Sequence, residues 1–288
     1  MLCKAPHKRQ KNSRYERQAK KLYMAQDNCF RKQDFQFLRK NSTHSKLLDA
    51  LDQIGVCLND KNPETISIKN LDKVCFILAN TYDRKDYDLG VGPLNDSYLL
   101  GMNLYKRGYK IFYLHNPRKS EFLVYSAFFL KNTQSDLTIF YSGRATAFAG
   151  SVNGKLSLNI NAFLFNEGCT TADELGKILS DNMNPNAKVV LISDCCGGGS
   201  AWDIRIAKMF NPNLPPNLLI FSANERKRVK EKTSKHTHGI FTFFFCTLIN
   251  ENPNITPKEL CNQINPLIKR FNKSVSCEKL TTCMDVSP

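Results

Sequence analysis

The sequence predicts a mixed α/β fold, with a mainly parallel central sheet and helices packed on both of its faces. Three observations predict it: short apolar runs of strand length recur along the chain, helix-length segments separate them, and the chemically distinctive residues fall where the apolar runs stop. Runs that are apolar throughout, rather than alternating, belong to strands covered on both sides, as in parallel sheets. Strands and helices alternating at these lengths are the pattern of β-α-β connections. With 288 residues, 42% of them hydrophobic, the chain is long enough for one large core and an appendage.

Residues 1–42 are basic and weakly periodic. STHSKLLDALDQIG (42–55) then reads as a helix: Leu47, Leu48, Leu51 and Ile54 share a face, Ser and Thr precede it and Gly55 ends it. DKNPE (60–64) is a breaker-rich linker. The predicted organisation is a basic, partly helical extension over 1–67, the α/β domain over 68–272 and a C-terminal tail over 273–288. Within the domain, KVCFILANT (73–81), YKIFYLHN (109–116), DLTIFYSG (136–143), KVVLISDCC (188–196) and NLLIFSAN (217–224) are the predicted strands. LNDSYLLGMNLYKRG (94–108), RKSEFLVYSAFFLKN (118–132), TTADELGKILSDNM (170–183), HGIFTFFFCTLIN (238–250) and TPKELCNQINPLIKRF (256–271) are the predicted helices, the last with Pro257 at its first position after Thr256.

Sheets of this kind carry their chemistry just beyond the carboxyl ends of the strands. Three strand ends stand out: YSGRA, SDCCGGG and SANER. Strand–Ser-Gly, then strand–Asp-x-Cys, then strand–Ser-Ala and a final G-x-F-T helix is a layout that resembles the caspase-like cysteine peptidases, metacaspases in particular. The matching pieces are DLTIFYSG (136–143), LISDCC (191–196), IFSANE (220–225) and HGIFTFFF (238–245), with GPLND (92–96) similar to the segment that opens the first helix of metacaspases. The resemblance spans 73 to about 270. It implies a caspase-like α/β/α sandwich and a Cys–His dyad in which a thiolate attacks a peptide carbonyl and an imidazole protonates the leaving amine.

By that resemblance Cys196 occupies the nucleophile position and Cys195 the variable position before it. The histidine of caspase-type sites lies about 50 residues upstream, and 52 positions before Cys196 stands Arg144, in SGRA where the family has SGHG. Arginine side chains keep their proton, so one cannot shuttle it near neutrality. A guanidinium nearby can still favour the Cys196 thiolate. The expectation is a reactive thiol with weak or no peptidase turnover. Gly143 remains as a candidate oxyanion donor, while Ala145 replaces the family's second glycine. His115, His236 and His238 are the candidates to replace the missing imidazole.

The resemblance also implies that Asp96, Ser142 and Asp194 line a pocket for Arg or Lys at the cleavage site, two carboxylates facing a guanidinium. Two readings of Arg144 follow: it folds into that acidic pocket and blocks it, or it points to solvent while Asp194 tethers loops. Metacaspases often carry an acidic calcium-binding stretch after SGHG, but TAFAGSVNGKLSLNINAF (146–163) has no Asp or Glu, so no metal and no cofactor is expected.

Lys and Arg number 41 against 26 Asp and Glu, a net charge of +15, and residues 1–40 alone hold 12 basic and 3 acidic residues. With ERKRVKEKTSK (225–235) this basic tract is either a solvated tail or a surface for nucleic acid, an anionic membrane or an acidic partner. The 11 cysteines include no C-x-x-C pair, which argues against zinc and for reduced thiols in a cytoplasmic setting. Cys75 and Cys246 read as core, and Cys277 with Cys283 is one candidate pair. The charged N-terminal stretch has no secretory apolar region, and the longest apolar run, 240–249, is too short to span a bilayer. Two functions stand side by side: a metacaspase-like endopeptidase acting after Arg or Lys, impaired at Arg144, or a pseudopeptidase that binds such peptides or regulates an active relative. A basic nucleic-acid-binding adaptor is a third.

Overall fold

The computed structural model of the chain describes residues 44–152, 155–195, 201–225, 239–271 and 275–281. In chain order these residues form α1 (His44–Ile54), β1 (Gly55–Cys57), β2 (Lys73–Ala79), α2 (Gly92–Tyr105), β3 (Lys110–His115), α3 (Lys119–Asn132) and β4 (Asp136–Ser142). They continue with β5 (Ala145–Val152), β6 (Lys155–Phe165), β7 (Gly168–Cys169), α4 (Ala172–Asn182), β8 (Lys188–Asp194) and α5 (Ile204–Phe210). The last are β9 (Leu218–Glu225), α6 (Ile240–Glu251), α7 (Pro257–Phe271) and β10 (Val275–Thr281).

Seven strands make the main sheet, in the order β1-β3-β2-β4-β8-β9-β10. All neighbours run parallel except β10, which lies antiparallel along β9. The expected α/β/α sandwich is therefore the observed architecture. The apolar strands have the reason anticipated for them: Val74, Phe76 and Leu78 of β2 are fully buried, and so are Cys75, Ile77 and Ala79 between them, because both faces are covered. On one face α2 lies over Ile77 and Ile111 beside Ile54 of α1, and α6 packs on α2. On the other, Phe122, Tyr125 and Phe129 of α3 join Leu175 and Leu179 of α4 and Ile204 of α5 over Phe76, Phe112 and Leu191. The Phe129 ring sits 5.0 Å from those of both Phe76 and Phe112. Burying a ring of that size is worth about 2–3 kcal/mol. Helix α4 begins where Thr171 and Glu174 cap each other's backbone N–H groups.

Four features are absent from the sequence reading. The first is β1, which pairs with β3 through Gly55, Val56 and Cys57. With α1 packed on α2, residues 44–57 are physically part of the sheet assembly, although the sequence placed them in the extension. The second is the β5–β6 hairpin, which starts directly after Arg144 and forms a small separate sheet with β7. The third is α5. The fourth is β10, whose seven residues pair with β9 from Val275↔Glu225 to Thr281↔Leu219, where a tail had been expected. Cys277 has a second candidate partner. Its sulfur lies 3.4 Å from that of Cys261, whereas Cys283 lies outside the described residues. Cys75 and Cys246 are core, as read. Among the described residues no helix is long and apolar enough to cross a membrane. The basic stretches 1–42 and 226–235 lie outside the described residues.

Candidate active site at the strand ends

The parallel register aligns the carboxyl ends of four strands. His115 of β3 is level with Ala79 of β2, Ala79 with Ser142 of β4, and Ser142 with Asp194 of β8. Helix α2 starts near this row and brings Asp96, which is 3% exposed, over the end of β4. There Asp96 Oδ2 accepts a hydrogen bond from Ser142 Oγ at 3.2 Å. Its other oxygen, Oδ1, accepts the backbone N–H of Gly239 at 2.8 Å. Asp194 Oδ2 accepts from both the backbone N–H of Thr242, at 3.1 Å, and the Thr242 hydroxyl, at 2.6 Å. Asp96, Ser142 and Asp194, picked out separately in the sequence, therefore meet at the N-terminal end of α6.

That meeting point explains the glycine before α6. A Cβ on Gly239 would run into the Asp194 carboxylate and come within 3.0 Å of Asp96 Oδ2. A helix N-terminus favours negative charge, because its first N–H groups have no partner within the helix. Burial still pushes the Asp194 pKa above the ordinary carboxylate value, against the opposing pull of the two Thr242 donors. Gly239 and Thr242 were not singled out as site residues. The signal was present in GIFT, a glycine followed three residues later by a hydroxyl at a helix start.

Arg144 is arranged otherwise. Its backbone N–H donates to the Tyr82 hydroxyl at 2.6 Å, and its carbonyl accepts from the Tyr141 hydroxyl at 2.7 Å and from Leu164 N–H at 2.9 Å. The two hydroxyls lie 3.2 Å apart, and burial raises both phenol pKa values, so they stay protonated as donors. Tyr82 reaches this position from a left-handed backbone conformation, φ 63°. The Arg144 side chain is half-buried, with Nε donating to the Tyr87 carbonyl at 2.8 Å. Among the described residues Arg144 makes no ion pair with Asp96 or Asp194. The self-blocking arrangement considered from sequence is therefore not the one adopted: the tyrosine pair fixes the turn, and Tyr87 takes the guanidinium.

Gly143 is held just as closely. An added Cβ would lie 2.9 Å from the Tyr82 hydroxyl and 3.0 Å from that of Tyr141. Its N–H donates to the Asp194 carbonyl at 3.3 Å, so the expected oxyanion donor is engaged in extending the β4–β8 ladder. Cys195 is buried at the end of β8. Cys196, the expected nucleophile, lies outside the described residues, as do His236 and His238. His115 is placed, at the carboxyl end of β3. Three inter-strand steps separate it from Asp194, roughly 14 Å at 4.8 Å per step. Its Nε2 meets the Thr81 hydroxyl at 2.9 Å, and burial together with nearby His44 lowers its pKa.

No protein-family model matches the chain, and no curated protein matches it by sequence. Solved structures do. Caspase-1 from Spodoptera frugiperda superposes with a TM-score of 0.51 at 10% identity, over 74% of this chain and 89% of its own. The structure of pro-sf-caspase-1 superposes with a TM-score of 0.51 at 14% identity, over 71% of this chain and 83% of its own. The chain has a caspase-like fold.

Proposed function

We propose that this chain is a metacaspase-like cysteine peptidase domain whose Asp96–Ser142–Asp194 cluster receives an Arg or Lys side chain of a peptide. In this reading Cys196 is the nucleophile and turnover is impaired at Arg144. The observation that carries it is the convergence of two carboxylates and a serine at the strand end leading to Cys196. Two carboxylates that converge in this way can grip a ligand's guanidinium through charge-assisted hydrogen bonds. The fold supports the same assignment at its coarsest level. A guanidinium cannot give a proton to a leaving amine near neutrality, and loss of a positioned general acid lowers a rate by ~10²–10⁴.

One observation favours the non-catalytic reading, in which the domain binds basic peptides or regulates an active relative. The backbone N–H groups of Gly143 and Arg144 are both engaged, and the Arg144 side chain is tied to Tyr87. The test compares wild type, Arg144→His and Cys196→Ala on an Arg-containing fluorogenic peptide. Turnover that appears only in Arg144→His supports an impaired peptidase. Peptide binding without turnover in any variant supports the binding domain. Wild-type turnover at the level of Arg144→His, abolished in Cys196→Ala, would show that another group supplies the proton.

A further inference from the structure

At the antiparallel edge of the main sheet, α7 packs against β10. Cys261 and Asn265 are four residues apart on α7 and so share one side of the helix. Asn265 clasps the backbone of Cys277 in β10 from both directions: its Nδ2 donates to the Cys277 carbonyl at 3.2 Å, and its Oδ1 accepts the Cys277 N–H at 2.7 Å. The clasp satisfies backbone groups that a sheet edge would otherwise leave open. It also sets the position of the Cys277 side chain, which is buried, against the half-buried Cys261, with the two sulfurs 3.4 Å apart.

We propose that Cys261 and Cys277 form a redox-active thiol pair that takes a small-molecule disulfide as its oxidant. Sulfurs at 3.4 Å need to approach by little more than 1 Å to reach the about 2.0 Å of a disulfide. The more accessible Cys261 thiolate attacks one sulfur of the reagent and releases one thiol. The Cys277 thiolate then attacks Cys261 of the mixed disulfide and releases the second. Two electrons pass to the reagent, the two thiol protons end on the two released thiols, and one S–S bond forms as one breaks. The product staples β10 to α7. Because β10 pairs with β9 up to Glu225, the staple braces the strand that is separated by thirteen residues from Gly239, whose N–H meets Asp96. The inference does not depend on the proposed peptidase chemistry.

The test uses the native full-length chain, incubated with oxidised glutathione, blocked with N-ethylmaleimide and digested with trypsin. The expected product joins residues 259–269 to residues 274–279 and is lighter by two hydrogens than the two peptides together. The melting temperature is expected to rise on the order of 5 °C on oxidation, to fall back with reductant, and to stay unchanged in Cys261→Ser. Linkage of Cys277 to Cys283, or glutathione or maleimide retained on both Cys261 and Cys277, would overturn the pair. A 261–277 link with no change in melting temperature would overturn the staple.

Discussion

Two turns at the same end of the sheet hold opposite charges by different means. The anionic turn gathers Asp96 and Asp194 around Gly239 and answers them with N–H and hydroxyl donors at a helix N-terminus. The cationic turn, two residues beyond Ser142, fixes Arg144 with tyrosine hydroxyls and a backbone carbonyl. Arg144 stands 48 positions after Asp96 and 50 before Asp194 in sequence, and among the described residues it makes no ion pair with either. The donors just named for the carboxylates, and the acceptor of the Arg144 Nε–H, are neutral groups. Pairing buried charges is a weak source of stability in any case, since desolvation offsets the attraction.

If that contrast is right, Asp96 should be the most sensitive position of the two turns. Asp96→Ala strands the Gly239 N–H and the Ser142 hydroxyl in a buried place, and a loss of about 3 kcal/mol in urea unfolding is expected. A loss below about 1 kcal/mol would mean that Asp96 does not hold the start of α6. In the cationic turn Tyr82→Phe removes the acceptor for the Arg144 N–H, with an expected loss of about 1–2 kcal/mol. Adding Tyr141→Phe should cost less than the sum of the single losses, because the two hydroxyls share partners. Strict additivity would show that they act separately.

The smallest effect is expected for Asp194→Asn. The amide oxygen can still accept from Thr242, and stability at pH 7 should stay within about 0.5 kcal/mol or rise. The sign follows from the direction of the shift. A carboxyl whose folded pKa lies above its unfolded value binds more protons when folded, so its contribution worsens as pH rises through that window. Wild type should therefore gain on the variant as pH falls towards the ordinary carboxylate range, measured by thermal melts from pH 4 to 7. An unchanging difference across that range would refute the raised pKa.

Much of the frame was legible before any coordinates. The apolar run 73–81 became β2, 188–196 became β8 up to Asp194, and TTADELGKILSDNM became α4 with its Thr171 cap. These elements announce themselves locally, through period and capping residues. Strand β10 did not, because VSCEKLT is short and mostly polar and is held by β9 on one side and Asn265 on the other. The β5–β6 hairpin has a short-range signal, the Asn153–Gly154 dipeptide between alternating segments. At the site, the residue types at Asp96, Ser142 and Asp194 could be read from the chain, whereas their donors lie up to 143 positions away in sequence.

The amino-acid order by itself determined the class of fold and the residues available for chemistry, since apolar period, caps and motif order are short-range properties of the chain. Only the tertiary structure decided where Arg144 points, that Gly239 must lack a side chain, that His115 lies three strands from Asp194, and that Cys261 faces Cys277. Each of these depends on groups distant in sequence competing for one place. Packing and hydrogen-bond geometry settle that competition, and neither is written in any single segment.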